Sequence, residues 1–144
     1  MSILSSDDQA RITHAVSLAE NRTPGEIRIV VEQVVGEMSA SDRAAKYFAD
    51  LGMHKTARRN GVLIYLALVD RQFAIIGDIG IHGQVEEDFW ECTKEKMLVH
   101  FRAGDYVQGL VEGIVNAGDR LHTFFPKQED DINELPNEIH FGAN

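Results

Sequence analysis

Residues 60–88 read NGVLIYLALVDRQFAIIGDIGIHGQVEED. The run 62–69 is apolar and carries no charge, which suits a strand buried on both faces of a sheet. Asp70-Arg71 interrupts it, and 72–76 resumes in the same style. A two-residue break between two such runs predicts a tight β-hairpin. The second run finishes in Gly77-Asp78-Ile79-Gly80, a glycine-rich turn holding an acid. Glu86, Glu87 and Asp88 follow, where a helix is expected to begin. The hairpin thus delivers an acidic turn to one end of a sheet.

Upstream, residues 26–35 (EIRIVVEQVV) are β-branched and partly alternating, with Ile27, Ile29 and Val31 on one side. Ser41 is placed to cap a helix in which Ala44, Phe48 and Leu51 share a face, and Gly52 to end it as a left-handed cap. Strand, helix, strand makes a βαβ unit, so the first two strands run parallel with a right-handed crossover. The hairpin makes the third strand antiparallel, and the sheet is mixed. An earlier helix opens at Ser6, with Gln9 in capping-box spacing, and carries Ile12, Ala15, Val16 and Ala19.

Downstream, the pattern predicts a third helix over 85–100, with Phe89, Cys92, the Lys96 stem and Val99 inward and Trp90 beside that face. A fourth follows Asp105, with Val107, Leu110, Val111, Ile114, Val115, Gly118 and Leu121 as its stripe. Residues 1–126 read as a single α/β domain. The tail 127–144 is acidic, and either stays disordered or packs as an extended arm through Ile139-His140-Phe141.

Composition narrows the function classes. A chain of 144 residues with 44% hydrophobic content and three prolines is one folded domain. A net charge of −9 repels phosphate and argues against nucleic acid as a partner. One cysteine, Cys92, excludes an internal disulfide and a cysteine zinc site. No signal peptide, anchor or membrane span is visible, so a soluble cytoplasmic protein is expected.

Topology decides which polar groups can meet. The starts of strands one and two and the finish of strand three share an end. That end gathers Glu26, Arg58-Arg59-Asn60, Asp78 and the acids 86–88. Asp70 lies at the opposite end, about 26 Å away along an eight-residue strand. Carboxylates from Asp78, Glu87 or Asp88, the Asn60 amide oxygen and turn carbonyls suit a hard cation such as calcium. The same acids also suit helix capping and turn formation. Arg58 and Arg59 could hold an anion beside a metal. His82 is the histidine nearest this end, and no histidine pair has protease-type metal spacing.

Thr23-x-Gly25-Glu26-Ile27, Asn60-Gly61-Val62-Leu63-Ile64, Asp70-Arg71, Gly77-x-x-Gly80, Asp88 and Phe101-Arg102-x-Gly104-Asp105-Tyr106-x-x-Gly109 occur in this order. Through them the stretch 23–121 resembles the TPM domain family, which includes a thylakoid-lumen acid phosphatase and photosystem II repair proteins. The resemblance implies a Rossmann-like three-layer α/β/α sandwich whose acid-lined crevice binds divalent cations, calcium among them. Many relatives carry an aromatic residue where this chain has Asp78, which would add a ligand here. Many are exported and anchored, features not visible in this sequence.

With the family added, the favoured reading is a domain that binds calcium, or another divalent cation such as magnesium, without efficient catalysis. Asp78 and Asp88 are then the primary ligands, Glu87 and Asn60 secondary ones, and Glu26 orients the shell. A second reading is a metal-dependent acid phosphatase in which Arg59 stabilises charge. A third is an adaptor for a partner protein.

Overall fold

A computed structural model describes residues 4–23, 25–56, 59–82, 88–124 and 139–142. Helix α1 (Ser6–Glu20) leads to strand β1 (Glu26–Glu32), helix α2 (Ala40–Asp50) and a single 3-10 turn at Met53–Lys55. The hairpin follows as β2 (Gly61–Ala67) and β3 (Gln72–Gly77). A one-turn helix α3 (Ile79–His82), then α4 (Glu91–Arg102), α5 (Tyr106–Phe124) and a short β4 (His140–Phe141) complete the elements among the described residues. The sheet order is β3-β2-β1-β4. β1 is parallel to both β2 and β4, and β2 is antiparallel to β3.

Strand alternation sorts the core into two layers. Ile27, Ile29 and Val31 of β1, with Val62, Ile64 and Leu66 of β2, face a cluster that includes Ile12 and Val16 of α1, Met97 of α4 and Leu110 and Ile114 of α5. Val30, Leu63, Tyr65 and Ala67 face the other way, onto Ala44 and Phe48 of α2 and onto Met53. Every β2 residue is buried, as its unbroken apolar run requires. Helices on both faces of a mixed sheet make the three-layer α/β/α sandwich that the resemblance implies.

Local signals differ in detail. α1 is capped by Ser5, whose side chain accepts from the Asp8 amide in a reciprocal capping box, one residue before the expected Ser6–Gln9 pair. Ser39, not Ser41, caps α2. Gly52 takes the left-handed conformation (φ 69°) expected of it. β1 ends at Glu32 rather than at residue 35, but Gln33 still accepts from the Val69 amide at 2.7 Å. The β2–β3 loop spans four residues, 68–71, because Ala67 pairs with Gln72. Leu68 and Val69 remain bonded toward β1. Arg71, at φ 55°, makes the left-handed step that closes the loop.

The third predicted helix is the largest departure. Residues 83–87 lie outside the described set, and α4 begins at Glu91. Its buried residues are Thr93 and Met97, while Cys92 is exposed and Val99 is 64% exposed. The inward stripe is therefore rotated by one residue, about 100° on a helix. Phe89 and Trp90 set this register from outside the helix: both are buried, edge to face at 4.6 Å, just ahead of its first turn. In α5, Leu110, Ile114, Ala117 and Leu121 are fully buried, and Val115 points outward. Gly113 and Gly118 let α5 approach its neighbours closely. A Cβ on Gly113 would collide with the Met97 side chain of α4, and one on Gly118 would lie 2.7 Å from the Ala19 Cβ of α1.

Candidate functional site

The acidic end of the sheet is built around Gly61. Glu26 is its partner in β1, and the Asp78 amide donates to its carbonyl at 2.9 Å. Glu26 and Asp78 therefore flank a residue with no side chain, on the two strands either side of β2. Neighbouring strands are about 4.8 Å apart, so the two acids start roughly 10 Å apart at the backbone. Both are buried, at 3% and 5% exposure. Asn60 is buried beside them: its carbonyl accepts from the Glu26 amide, and its amide donates to Thr56 Oγ1 at 3.3 Å. The Met53 carbonyl oxygen lies 3.2 Å from where a Gly61 Cβ would stand.

Asp78 is already committed. Its carboxylate accepts from Arg59 Nε at 2.9 Å and Nη2 at 3.0 Å, and from the Ile79 amide at 2.7 Å. The fork is bidentate, the strongest arrangement of this pair. Hydrogen bonding to Asp78 holds the Arg59 proton more tightly than usual. The guanidinium that a phosphatase reading would use for charge stabilisation is thus engaged by the carboxylate that a metal reading would use as a ligand. Arg59 reaches it from left-handed backbone (φ 51°), and its carbonyl accepts from Gly80 at 2.8 Å.

The structure brings Asp78, Asn60 and Glu26 to one end, as the topology predicts. Asp88 sits in an exposed turn before α4, where its carbonyl accepts from the Glu91 amide. Glu87, Glu86 and Arg58 lie outside the described residues, as does the His82 side chain. Among the described residues no three His, Cys, Asp or Glu side chains group as metal ligands do. Asp70 lies at the far end, where its carboxylate accepts from the Val35 amide at 2.7 Å.

Two buried acids escape a reading that looks for turns and helix starts. Glu20 is 7% exposed, and its carboxylate accepts from the Ile27 amide at 3.0 Å. The signal was its place one helical step beyond Val16 on the apolar stripe of α1. Glu32 is fully buried at the other end of β1. It takes a fork from Arg43 of α2 at 2.8 and 3.2 Å, the Tyr47 hydroxyl at 2.6 Å and the Tyr65 hydroxyl. Its signal was a lone acid inside a β-branched run, on the face that α2 covers.

The family model for the TPM domain matches residues 1–120. The chain belongs to the TPM domain family. Among solved structures, the BA42 protein of the psychrophilic bacterium Bizionia argentinensis is similar at 42% identity, with a TM-score of 0.92, covering 98% of this chain and 97% of that one. An N-terminal domain from P. gingivalis shares the fold at 23% identity and TM-score 0.70, over 86% of this chain and 80% of its own. The N-terminal domain of cg2496 from Corynebacterium glutamicum shares it at 13% identity and TM-score 0.62, over 96% and 84%. No curated protein sequence matches. Among the described residues of this TPM domain, no helix is long and apolar enough to cross a membrane.

Proposed function

We propose that this TPM domain binds a divalent cation, calcium in preference to magnesium, at the end of the sheet where β1 and β2 begin and β3 finishes. The observation that carries the reading is the pair of buried carboxylates, Glu26 and Asp78, flanking Gly61. Burying two acids in one place is costly unless positive charge is supplied. Arg59 supplies it to Asp78, from the solvent side, with 41% of its own side chain exposed. A cation entering the crevice takes over that role, and Arg59 swings outward. The donors at hand are carboxylate, amide and carbonyl oxygens, a set that fits a hard cation and not a thiophilic metal. The described carboxylates number two at this point, so water and the segment carrying Glu87 would complete the six to eight oxygens calcium takes. The domain acts in this reading as a binding module and not as a catalyst.

Calorimetric titration of metal-stripped protein with calcium and with magnesium, alongside thermal melts, tests this. Saturable calcium binding that raises the melting temperature supports the reading. Absence of binding by either ion overturns it and leaves the Arg59–Asp78 pair as a purely structural clasp.

A further inference from the structure

A second polar feature lies at the hairpin end of the sheet, away from Asp78. Three separate segments converge there: Arg71 and Phe73 around the start of β3, Phe101-Arg102 at the end of α4, and Tyr106 at the start of α5. They line a cavity of about 240 Å³ together with Leu66 and Leu98. Phe73 and Phe101 meet edge to face at 5.1 Å, and Phe101 and Tyr106 are tilted at 5.8 Å. The rings wall the space and do not fill it.

The sequence holds this wall in place. Gly104, at φ 81°, makes the left-handed turn that brings Tyr106 back beside Phe101. A Cβ on Gly109 would collide with the Phe101 ring. A glycine inside a helix is unfavourable relative to alanine, and here it seats Phe101 at the cavity's edge.

The two arginines distinguish this cavity from an imperfectly packed core edge. Among the described residues, neither the Arg71 nor the Arg102 guanidinium has an ion-pair or hydrogen-bond partner. The adjacent Asp70 forms no ion pair with Arg71; its carboxylate accepts from the Val35 amide. On a chain of net charge −9, two arginines lining one cavity without an ion-pair partner among the described residues make an uncommon local concentration of positive charge. Guanidinium groups recognise carboxylate and phosphate through paired N–H donors. Aromatic walls recognise a flat ring by stacked and edge contacts.

We propose that this cavity binds a small aromatic anion: one ring bearing a phosphate, phosphonate or carboxylate group, with the ring among Phe73, Phe101 and Tyr106 and the anion held by Arg71 and Arg102. The volume selects a single ring, since sites for larger ligands begin at about 300 Å³. The site is independent of the cation reading, being at the opposite end of the sheet.

The test is an NMR titration of the full chain with phenylphosphonate, which cannot be hydrolysed, and in parallel with inorganic phosphate and with benzyl alcohol. Phenylphosphonate is expected to shift the amides of Phe73, Phe101 and Tyr106 saturably, with the two half-ligands each weaker by about tenfold or more. Arg71→Gln and Arg102→Gln should each weaken phenylphosphonate about tenfold, the loss of one charge-assisted hydrogen bond, with an unchanged melting temperature. Asp78→Asn should leave phenylphosphonate binding as it was. Absence of saturable shifts at these residues overturns the proposal. So does inorganic phosphate binding as well as phenylphosphonate, or an affinity indifferent to both arginine substitutions.

Discussion

The two ends of the sheet each hold an arginine in left-handed backbone, Arg59 at φ 51° and Arg71 at φ 55°. Their fates are opposite. Arg59 finds Asp78 at the finish of β3 and closes a bidentate pair over it. Arg71 follows Asp70, but that carboxylate is bonded to the Val35 amide, and the guanidinium stays at the cavity rim. The same uncommon backbone conformation, costing about 1–2 kcal/mol per residue, presents a cation at both ends. What differs is whether an acid stands within ion-pair distance of the guanidinium. A charged side chain's role therefore follows less from its own backbone conformation than from where its nearest counter-charge stands.

The sharpest way to break this comparison is at Glu32, a buried acid at the hairpin end that is fully neutralised. Glu32→Ala leaves Arg43 and two tyrosine hydroxyls without their acceptor, and removing one partner of a buried pair costs about 3–5 kcal/mol. Chemical denaturation reads this directly; a loss below about 1 kcal/mol would mean that the network behaves as a surface pair. Burial pushes the Glu32 carboxyl up, but hydrogen bonds from Arg43, Tyr47 and Tyr65 outweigh it and hold the group below its ordinary 4.5. A carboxyl held lower in the folded chain than in the unfolded one stabilises the fold above that pH. The contribution is lost as pH falls from 4.5 toward the folded value. Glu32→Gln should accordingly flatten the acid limb of the stability profile.

Next in size is Leu110→Ala, fully buried under the sheet face shared by both ends, expected to cost about 2–5 kcal/mol by the same denaturation measurement. A neutral result would mean that α5 does not anchor that layer. For calcium affinity, Asp78→Asn should weaken binding about tenfold or more while Asp70→Asn leaves it unchanged. Arg59→Gln should tighten it, because the cation no longer has to displace a guanidinium. Equal effects of the two aspartate variants would erase the distinction between the ends. The smallest effect concerns His140 of β4, whose ring lies 5.6 Å from Tyr47. Burial, aided by Arg28 and opposed by Glu32, lowers its affinity for a proton below the ordinary 6.5. Protonation then favours the unfolded chain, so stability falls as pH drops below 6.5, and His140→Gln should blunt that fall.

The parts of the fold legible in the sequence are those written in long runs. The apolar stretch of β2, the hairpin after it and the βαβ order each need only hydropathy and chain connectivity, and they suffice to place Asp70 and Asp78 at opposite ends. The register of α4 was not legible because Phe89 and Trp90 pack from outside the helix, and a helical count begun at Phe89 turns Cys92 and Val99 inward. The Arg59–Asp78 pairing was not legible either. The sequence places both residues at the right end, but their mutual engagement depends on side-chain geometry that no spacing encodes. Glu32 escapes the sequence because its three partners come from α2 and β2, and no spacing within β1 announces them.

Gly109, Gly113 and Gly118 give α5 little intrinsic tendency to be helical; each costs about 1 kcal/mol against alanine before any neighbour docks. α5 is helical because Met97 and Phe101 of α4 and Ala19 of α1 press into those gaps. This imposes an order in time. During synthesis α1 emerges first, but the surface that completes its burial is made by residues 106–124. The first helix can lie on the sheet as β1 and β2 form, but its burial is complete only once α5 docks. A chain halted at residue 104 should accordingly leave the α1 amides only partly protected from hydrogen exchange, and extension through residue 124 should protect α1 and α5 together.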